Sequence, residues 1–289
     1  MEKPRMTDAL ELAAVCAAAA DAGAAILRDL VDRPREIALK GAIDLVTDAD
    51  RASEARVLAL LAERAPGVAV LSEERGAVVG AAGARFIVDP LDGTTNFAHG
   101  IPFFCCTVAA EVGGRVVAGC TVDPMRGERF VAWRGGGAWL ECGDERRRLA
   151  VTRVADLRSA VVCSGFPYDR GDALPAMLAA WGRFTDLSRG TRRLGSAALD
   201  LAYVAAGRLD GFWEQGLHAW DVAAGHVLVV EAGGLVTTFA GAPSALDGGS
   251  DPGGRTRAAS AHVSRLFNEV NLETRARPRS VMCGGVAHA

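Results

Sequence analysis

Two carboxylates three residues apart, Asp89 and Asp92, follow the short apolar run Phe86-Ile87-Val88 and precede the turn Gly93-Thr94-Thr95. The run reads as a buried strand. A carboxylate directly after it and before Pro90 is part-buried, and a buried carboxylate needs a partner. A second negative charge close by sharpens that need, because like charges raise each other's pKa unless a cation neutralises them. The simplest neutraliser is a hard divalent cation. Mg²⁺ takes oxygen ligands and is usually held by a few carboxylates together with substrate phosphate. Backbone N–H groups at the adjoining turn can bind phosphate oxygens. The spacing therefore favours a metal-and-phosphate site.

Several elements must position these groups. A first helix is predicted from a Thr7 cap to about Leu30, ended by Pro34. A second follows Thr47, where Asp50 three residues on suggests a capping box, and Ala55, Leu58, Leu61 and Ala62 give it one apolar face. Val68 to Leu71 reads as a strand leading to Ser72-Glu73-Glu74. Phe104 to Val112 and Val116 to Val122 flank Gly113-Gly114 as a hairpin, and Arg129 to Arg134 and Ala138 to Glu141 continue the meander. Beyond about residue 150 strands and helices alternate: strand Val161 to Cys163, helices near Pro175 to Phe184 and Ser196 to Ala206, strand Gly211 to Glu214, a helix from about Trp220 to Ala232, and Leu235 to Thr238 as the last clear strand. The chain divides on this reading into an α+β part (1–150), an α/β part (151–270) and a disordered tail (271–289). From Gly241 onward it is rich in Gly, Pro, Ser and Arg, and Arg257 to Ser260 is less apolar than a core strand requires.

Other acids stand where strands end or helices begin: Asp44, Asp50, Glu73 and Asp221. Each also has a plain structural explanation. Asp50 suits a capping box, Glu73-Glu74 a solvated loop, and Asp221 the first turn of a helix, where the dipole favours it.

Taken together, the segment Asp89 to Phe97 resembles the signature of the inositol monophosphatase family. Lys40 with Asp44 to Asp50, Ser72-Glu73-Glu74, Gly195-Ser196-Ala197-Ala198-Leu199-Asp200 through Gly207 and Asp210, and Trp220-Asp221-Val222-Ala223-Ala224-Gly225 with Glu231 to Gly234 resemble further family motifs in order and spacing. The resemblance spans about residues 8 to 240. It implies a layered α/β/α/β/α sandwich of the sugar-phosphatase type and a Mg²⁺-dependent, Li⁺-sensitive phosphomonoester hydrolase with two or three Mg²⁺ per site. Glu73, Asp89, Asp92, Asp221 and the Leu91 carbonyl would be the metal ligands. Glu73, Thr94 and Asp50 would act on the attacking water, and Gly93 and Thr94 would bind phosphate through backbone N–H groups. Gly195, Ser196, Ala197 and Glu214 would contact substrate. A carboxylate at 214 accepts from vicinal hydroxyls, which favours inositol 1-phosphate or a similar polyol phosphate. Histidinol phosphate, fructose 1,6-bisphosphate and 3′-phosphoadenosine 5′-phosphate are the alternative substrates. Some bacterial family members bind the transcription machinery, which is a non-enzymatic alternative.

Bulk properties bound these readings. The 289 residues are half hydrophobic and 23% charged, with a net charge of −3, which gives no general attraction to nucleic acid or anionic membrane. The longest apolar tract, Leu12 to Ala20, is shorter than a bilayer span. The N-terminus is a poor signal peptide, so a cytoplasmic location is expected; the family resemblance implies a homodimer acting on a small-molecule phosphomonoester. The seven cysteines include no C-x-x-C pair and read as reduced, mostly buried thiols.

Overall fold

The computed structural model describes residues 8–33, 37–39, 45–78, 80–168, 171–239, 242, 244, 246 and 259–262. Lys40, Asp44, Cys283 and the 271–289 tail lie outside the described residues. The first half contains α1 (Ala9–Leu30), the short strands β1 (Ile37–Leu39) and β2 (Leu45–Thr47), α2 (Asp48–Arg64), β3 (Val68–Ser72), β4 (Gly76–Val78), β5 (Ala81–Asp92) and α3 (Thr94–Ala98). A meander follows: β6 (Cys105–Val112), β7 (Arg115–Asp123), β8 (Glu128–Trp133), β9 (Gly137–Cys142) and β10 (Glu145–Arg148). The second half contains β11 (Val161–Ser164), α4 (Leu174–Leu187), β12 (Gly190–Arg192), α5 (Ala197–Ala205), β13 (Gly211–Glu214), α6 (Ala219–Glu231), β14 (Leu235–Thr237) and β15 (Ala259–His262).

Strands β3 to β10 form an eight-stranded sheet in the order β10-β9-β8-β7-β6-β5-β3-β4. Its strands alternate between two cores, as period-two side chains must. Phe86, Val88, Cys106, Val108, Ala118 and Cys120 face α1 and α2, whereas Ile87, Cys105, Ala109, Phe130 and Ala132 face α5 and α6. The second sheet, β12-β11-β13-β15-β14, lies beyond α5 and α6, and a third cluster of Val162, Trp213 and Phe184 seats α4 on its outer face. The result is the layered α/β/α/β/α sandwich. Close approach between layers requires small residues: a Cβ on Gly119 of β7 would stand 2.7 Å from the Ala224 Cα of α6.

The elements depart from expectation in several places. Asp8, not Thr7, caps α1 by accepting the Leu10 N–H at 2.8 Å. By length and its mean hydropathy of 1.7, α1 would suit a membrane span, yet Leu12, Cys16, Ala19, Ala20 and Leu27 are buried in the core. In α2 the buried stripe is Ala49, Asp50, Ser53, Glu54, Val57, Leu60 and Leu61, with Ala55 and Ala62 exposed. Apolar spacing misplaces it because Ser53 and Glu54 are polar but satisfied. Ser53 donates to the Pro90 carbonyl at 2.8 Å, and Glu54 accepts from the Ser72 hydroxyl at 2.5 Å and the Arg75 N–H at 3.1 Å. Finally, Leu235–Thr237 is not the last strand. Residues 259–262 form β15, hydrogen-bonded to β13 on one side and β14 on the other; backbone pairing sustains it without an apolar run.

Candidate active site

The decisive local feature is a break in the ladder of β5 against β6. Asp89 pairs with Thr107 and Asp92 with Cys105, so three steps on β5 oppose two on β6. One extra residue in a strand is a β-bulge, which re-aims side chains. Without it, residues 89 and 92 would point to opposite faces. With it, the two carboxylates turn toward one site. Pro90 is tolerated at a bulge, where no ladder N–H is required, and its carbonyl is tied to α2 by Ser53. Asp89 Oδ1 accepts the Leu91 N–H at 3.0 Å, which fixes the carboxylate against its own bulge.

Two further acids arrive from elsewhere. Glu73 follows β3, its N–H bound to the Val88 carbonyl of β5 at 3.2 Å. Asp221 stands in the first turn of α6 and accepts the His218 N–H at 2.6 Å. Burial pushes the Asp89 carboxyl well up, and the charges of Glu73, Asp92 and Asp221 push it further, with a hydrogen bond to Glu73 adding to the effect. Burial raises Asp221 likewise, followed by Asp92 and Glu73. Burial raises Asp92 to about 6, against the pull of the Ala198 N–H and the Ser196 hydroxyl.

Asp50 and Thr94 adjoin these acids. Asp50 is fully buried and accepts the Thr47 N–H at 2.7 Å and the Thr47 hydroxyl at 2.6 Å, the expected capping box. The Thr94 hydroxyl lies 3.1 Å from both Asp50 Oδ1 and the Leu91 carbonyl oxygen. Gly93 has φ +100°, and a Cβ there would stand 3.1 Å from the Phe103 carbonyl oxygen, so conformation and space both demand glycine.

The other side of the candidate site comes from the second half. Ser196 caps α5 and donates its hydroxyl to Asp92 Oδ2 at 2.8 Å; the Ala198 N–H donates to the same oxygen at 2.6 Å. Gly195, at φ +97°, lies against the Asn96 side chain, whose Nδ2 donates to the Phe103 and Leu194 carbonyls. Glu214 ends β13 and is raised to about 8 by burial, with Arg193 opposing and Asp92 adding.

A profile of the inositol monophosphatase family matches residues 8–276. The chain belongs to this family. An inositol-1-monophosphatase of Mesorhizobium japonicum is 47% identical over 236 residues, 81% of this chain and 87% of that protein. Nus factor SuhB of Pseudomonas aeruginosa is 43% identical over 256 residues, 86% of this chain and 93% of its own. The crystal structure of the extragenic suppressor protein SuhB of Bartonella henselae matches with a TM-score of 0.81 at 37% identity, covering 90% of this chain and 97% of that one.

Within the family fold, Glu73, Asp89, Asp92 and Asp221 act on one another electrostatically, with Asp50 and Thr94 hydrogen-bonded beside the bulge. Among the described residues, no three Asp, Glu, His or Cys side chains stand close enough to form a ready-made metal cluster. The donor set nevertheless suits a hard cation: every acid is an oxygen donor, and their mutual repulsion is relieved by positive charge. Sequence reasoning missed the second role of Ser196, which braces Asp92 as well as capping α5. It also gave no role to Asp200, whose carboxyl is buried and raised, accepts from the Cys163 thiol and lies near Glu214 and Asp92. Its place in the first turn of α5 was the available signal, but only the fold shows what α5 points at. The cysteines behave as expected. Cys16, Cys105, Cys106, Cys120 and Cys163 are buried free thiols, and Cys142 is exposed.

Proposed function

We propose that the protein is a Mg²⁺-dependent phosphomonoesterase acting on inositol 1-phosphate or a similar polyol phosphate. The observation that carries the reading is the mutual electrostatic influence of four carboxylates from three separate elements beside a Thr–Asp pair. Glu73, Asp89, Asp92, Asp221 and the Leu91 carbonyl are the residues that would hold the cations. Bound there, Mg²⁺ supplies charge neutralisation for the phosphate and Lewis acidity toward the attacking water and the leaving oxygen. The chain's own residues do the rest. Thr94, held by its hydrogen bond to Asp50, orients the water, and Glu73 takes its proton as general base. The backbone N–H groups of Gly93 and Thr94 hold phosphate oxygens as charge develops. Water attacks phosphorus, the ester P–O bond breaks, and the departing alkoxide takes up a proton from solvent water. Glu214 accepts hydrogen bonds from ring hydroxyls, with Gly195, Ser196 and Ala197 lining the same side.

The test is phosphate release with Mg²⁺ from inositol 1-phosphate, histidinol phosphate, fructose 1,6-bisphosphate and 3′-phosphoadenosine 5′-phosphate, with and without Li⁺. Inositol 1-phosphate should rank first and Li⁺ should inhibit. A preference for histidinol phosphate would remove the Glu214 argument. A second reading, regulatory binding to the transcription machinery, is favoured by the relatives named Nus factor SuhB. Recovery of RNA polymerase subunits with the tagged chain, unaffected by Asp92→Asn, would support it as a separate activity. The expected cytoplasmic location and homodimer belong to this proposal; cell fractionation and sedimentation check them.

A further inference from the structure

The segment that leaves β11 touches both ends of the candidate site. Gly165 lies under Glu214: a Cβ at position 165 would stand 2.2 Å from Glu214 Oε2. Phe166 packs on Trp181 at 5.6 Å between ring centroids, Trp181 lies 6.3 Å from Trp213, and Trp213 stacks on Phe184 at 3.9 Å. Trp213 immediately precedes Glu214 and is in register with Ser164, so the segment starts from the same aromatic platform that seats Glu214. Pro167 then lies against Gly216, where a Cβ would stand 3.0 Å from the proline ring. Tyr168 reaches across to the other half of the molecule, its hydroxyl 3.1 Å from Thr95 Oγ1. Thr95 follows the Thr94 that contacts Asp50. Tyr168 is 45% exposed, so core packing does not force this bond.

We infer that residues 165–168 form a strap coupling leaving-group recognition to the placement of the phosphate turn, with Tyr168 as its positioning residue. The inference rests on the phosphomonoesterase reading above. The turn needs such a support because α3 has only five residues, too few to be rigid alone. Asn96 holds it on one side through two carbonyls, and Tyr168 holds it on the other. The strap thereby sets the separation between the phosphate turn and Glu214. A substrate that uses both ends depends on that separation; one that uses only the phosphate end does not.

The test compares full-length wild type with Tyr168→Phe, Thr95→Val, the double variant and Thr95→Ser, all with Mg²⁺. The substrates are inositol 1-phosphate and p-nitrophenyl phosphate, which has no ring hydroxyls for Glu214. Each single variant should lower kcat/KM for inositol 1-phosphate about five-fold, the worth of one neutral hydrogen bond. The double variant should be no worse than the poorer single, because the two side chains share one interaction. Thr95→Ser should retain wild-type activity, p-nitrophenyl phosphate should lose less than about two-fold, and the melting temperature should not move. Additive losses, or equal losses on both esters, overturn the strap alone. A wild-type chain that hydrolyses neither ester overturns the strap and the phosphomonoesterase reading together.

Discussion

At one end of the candidate site, Asp89 and Asp92 sit on β5, a twelve-residue strand paired with β3 and β6. At the other, Glu214 closes the four-residue β13 and is covered by a loop that begins at Gly165. The acidic end is built from backbone geometry. A bulge aims the carboxylates, and backbone N–H groups of Leu91, Ala198 and His218 hold three of them. The Glu214 end is built from side chains: a part-buried acid, an aromatic platform and a tyrosine on the rim. An end fixed by backbone should carry the invariant chemistry, because its geometry does not depend on the side chains around it. An end fixed by side chains should carry selectivity, because single substitutions can re-cut it.

That contrast can be broken by experiment. The largest effect is expected for Asp92→Asn, which should lower turnover for every substrate by about three orders of magnitude, with the fold intact by circular dichroism and the melting temperature unchanged or raised. Near-normal turnover would remove Asp92 from the reaction. Ser196→Ala deletes the hydroxyl that braces Asp92 and should cost roughly ten-fold in activity or Mg²⁺ affinity, the usual cost of losing a group that orients a ligand. Because it acts through Asp92, the loss should be the same for all esters, and an isolated effect on inositol 1-phosphate would place Ser196 with selectivity instead. Glu214→Gln should change substrate ranking by up to about ten-fold while the Mg²⁺ titration stays in place. Equal losses across the panel would erase the distinction between the two ends.

The smallest effect concerns stability. The carboxyls of Asp89, Asp92, Asp221 and Glu214 are all raised by burial first, with neighbouring acids adding to the effect. A raised folded pKa means that the native state binds more protons than the unfolded chain between the ordinary carboxylate range and the shifted value. Stability must therefore fall as pH rises through that window. For Glu214 the window runs from 4.5 to about 8. With EDTA, the melting temperature at pH 8.5 should lie a few degrees below that at pH 6, on the order of the shift one kcal/mol produces in a domain of this size. Added Mg²⁺ should remove most of the difference. Indifference to the chelator would argue that the acids are satisfied without a cation.

The acidic end was largely legible in the sequence, for a physical reason. An apolar run, two acids and a glycine turn are adjacent in the chain, so their proximity in space needs no tertiary information. The capping box of Thr47 and Asp50 is equally local. Tertiary partners were not legible. The buried stripe of α2 was misjudged because Glu54 is satisfied by Ser72 and Arg75, both well downstream. The bracing of Asp92 by Ser196 crosses 104 positions and the Tyr168–Thr95 bond 73. Strand β15 escaped notice because its place between β13 and β14 is set by backbone pairing rather than by an apolar pattern.

The bulge at Pro90–Leu91 has one more consequence, for how this chain can vary. The side chains at 90 and 91 can be exchanged for others that suit a bulge, but the number of residues between the two acids cannot change. Deleting one would leave an even ladder against β6 with the two acids two steps apart on one face, but would abolish the bulge that sets the Leu91 N–H on Asp89 and the Leu91 carbonyl on Thr94, while the sheet itself could still form. The segment is thus a ruler as much as a motif. A deletion there should yield a folded protein with a misaligned site, which a substitution at either position would not.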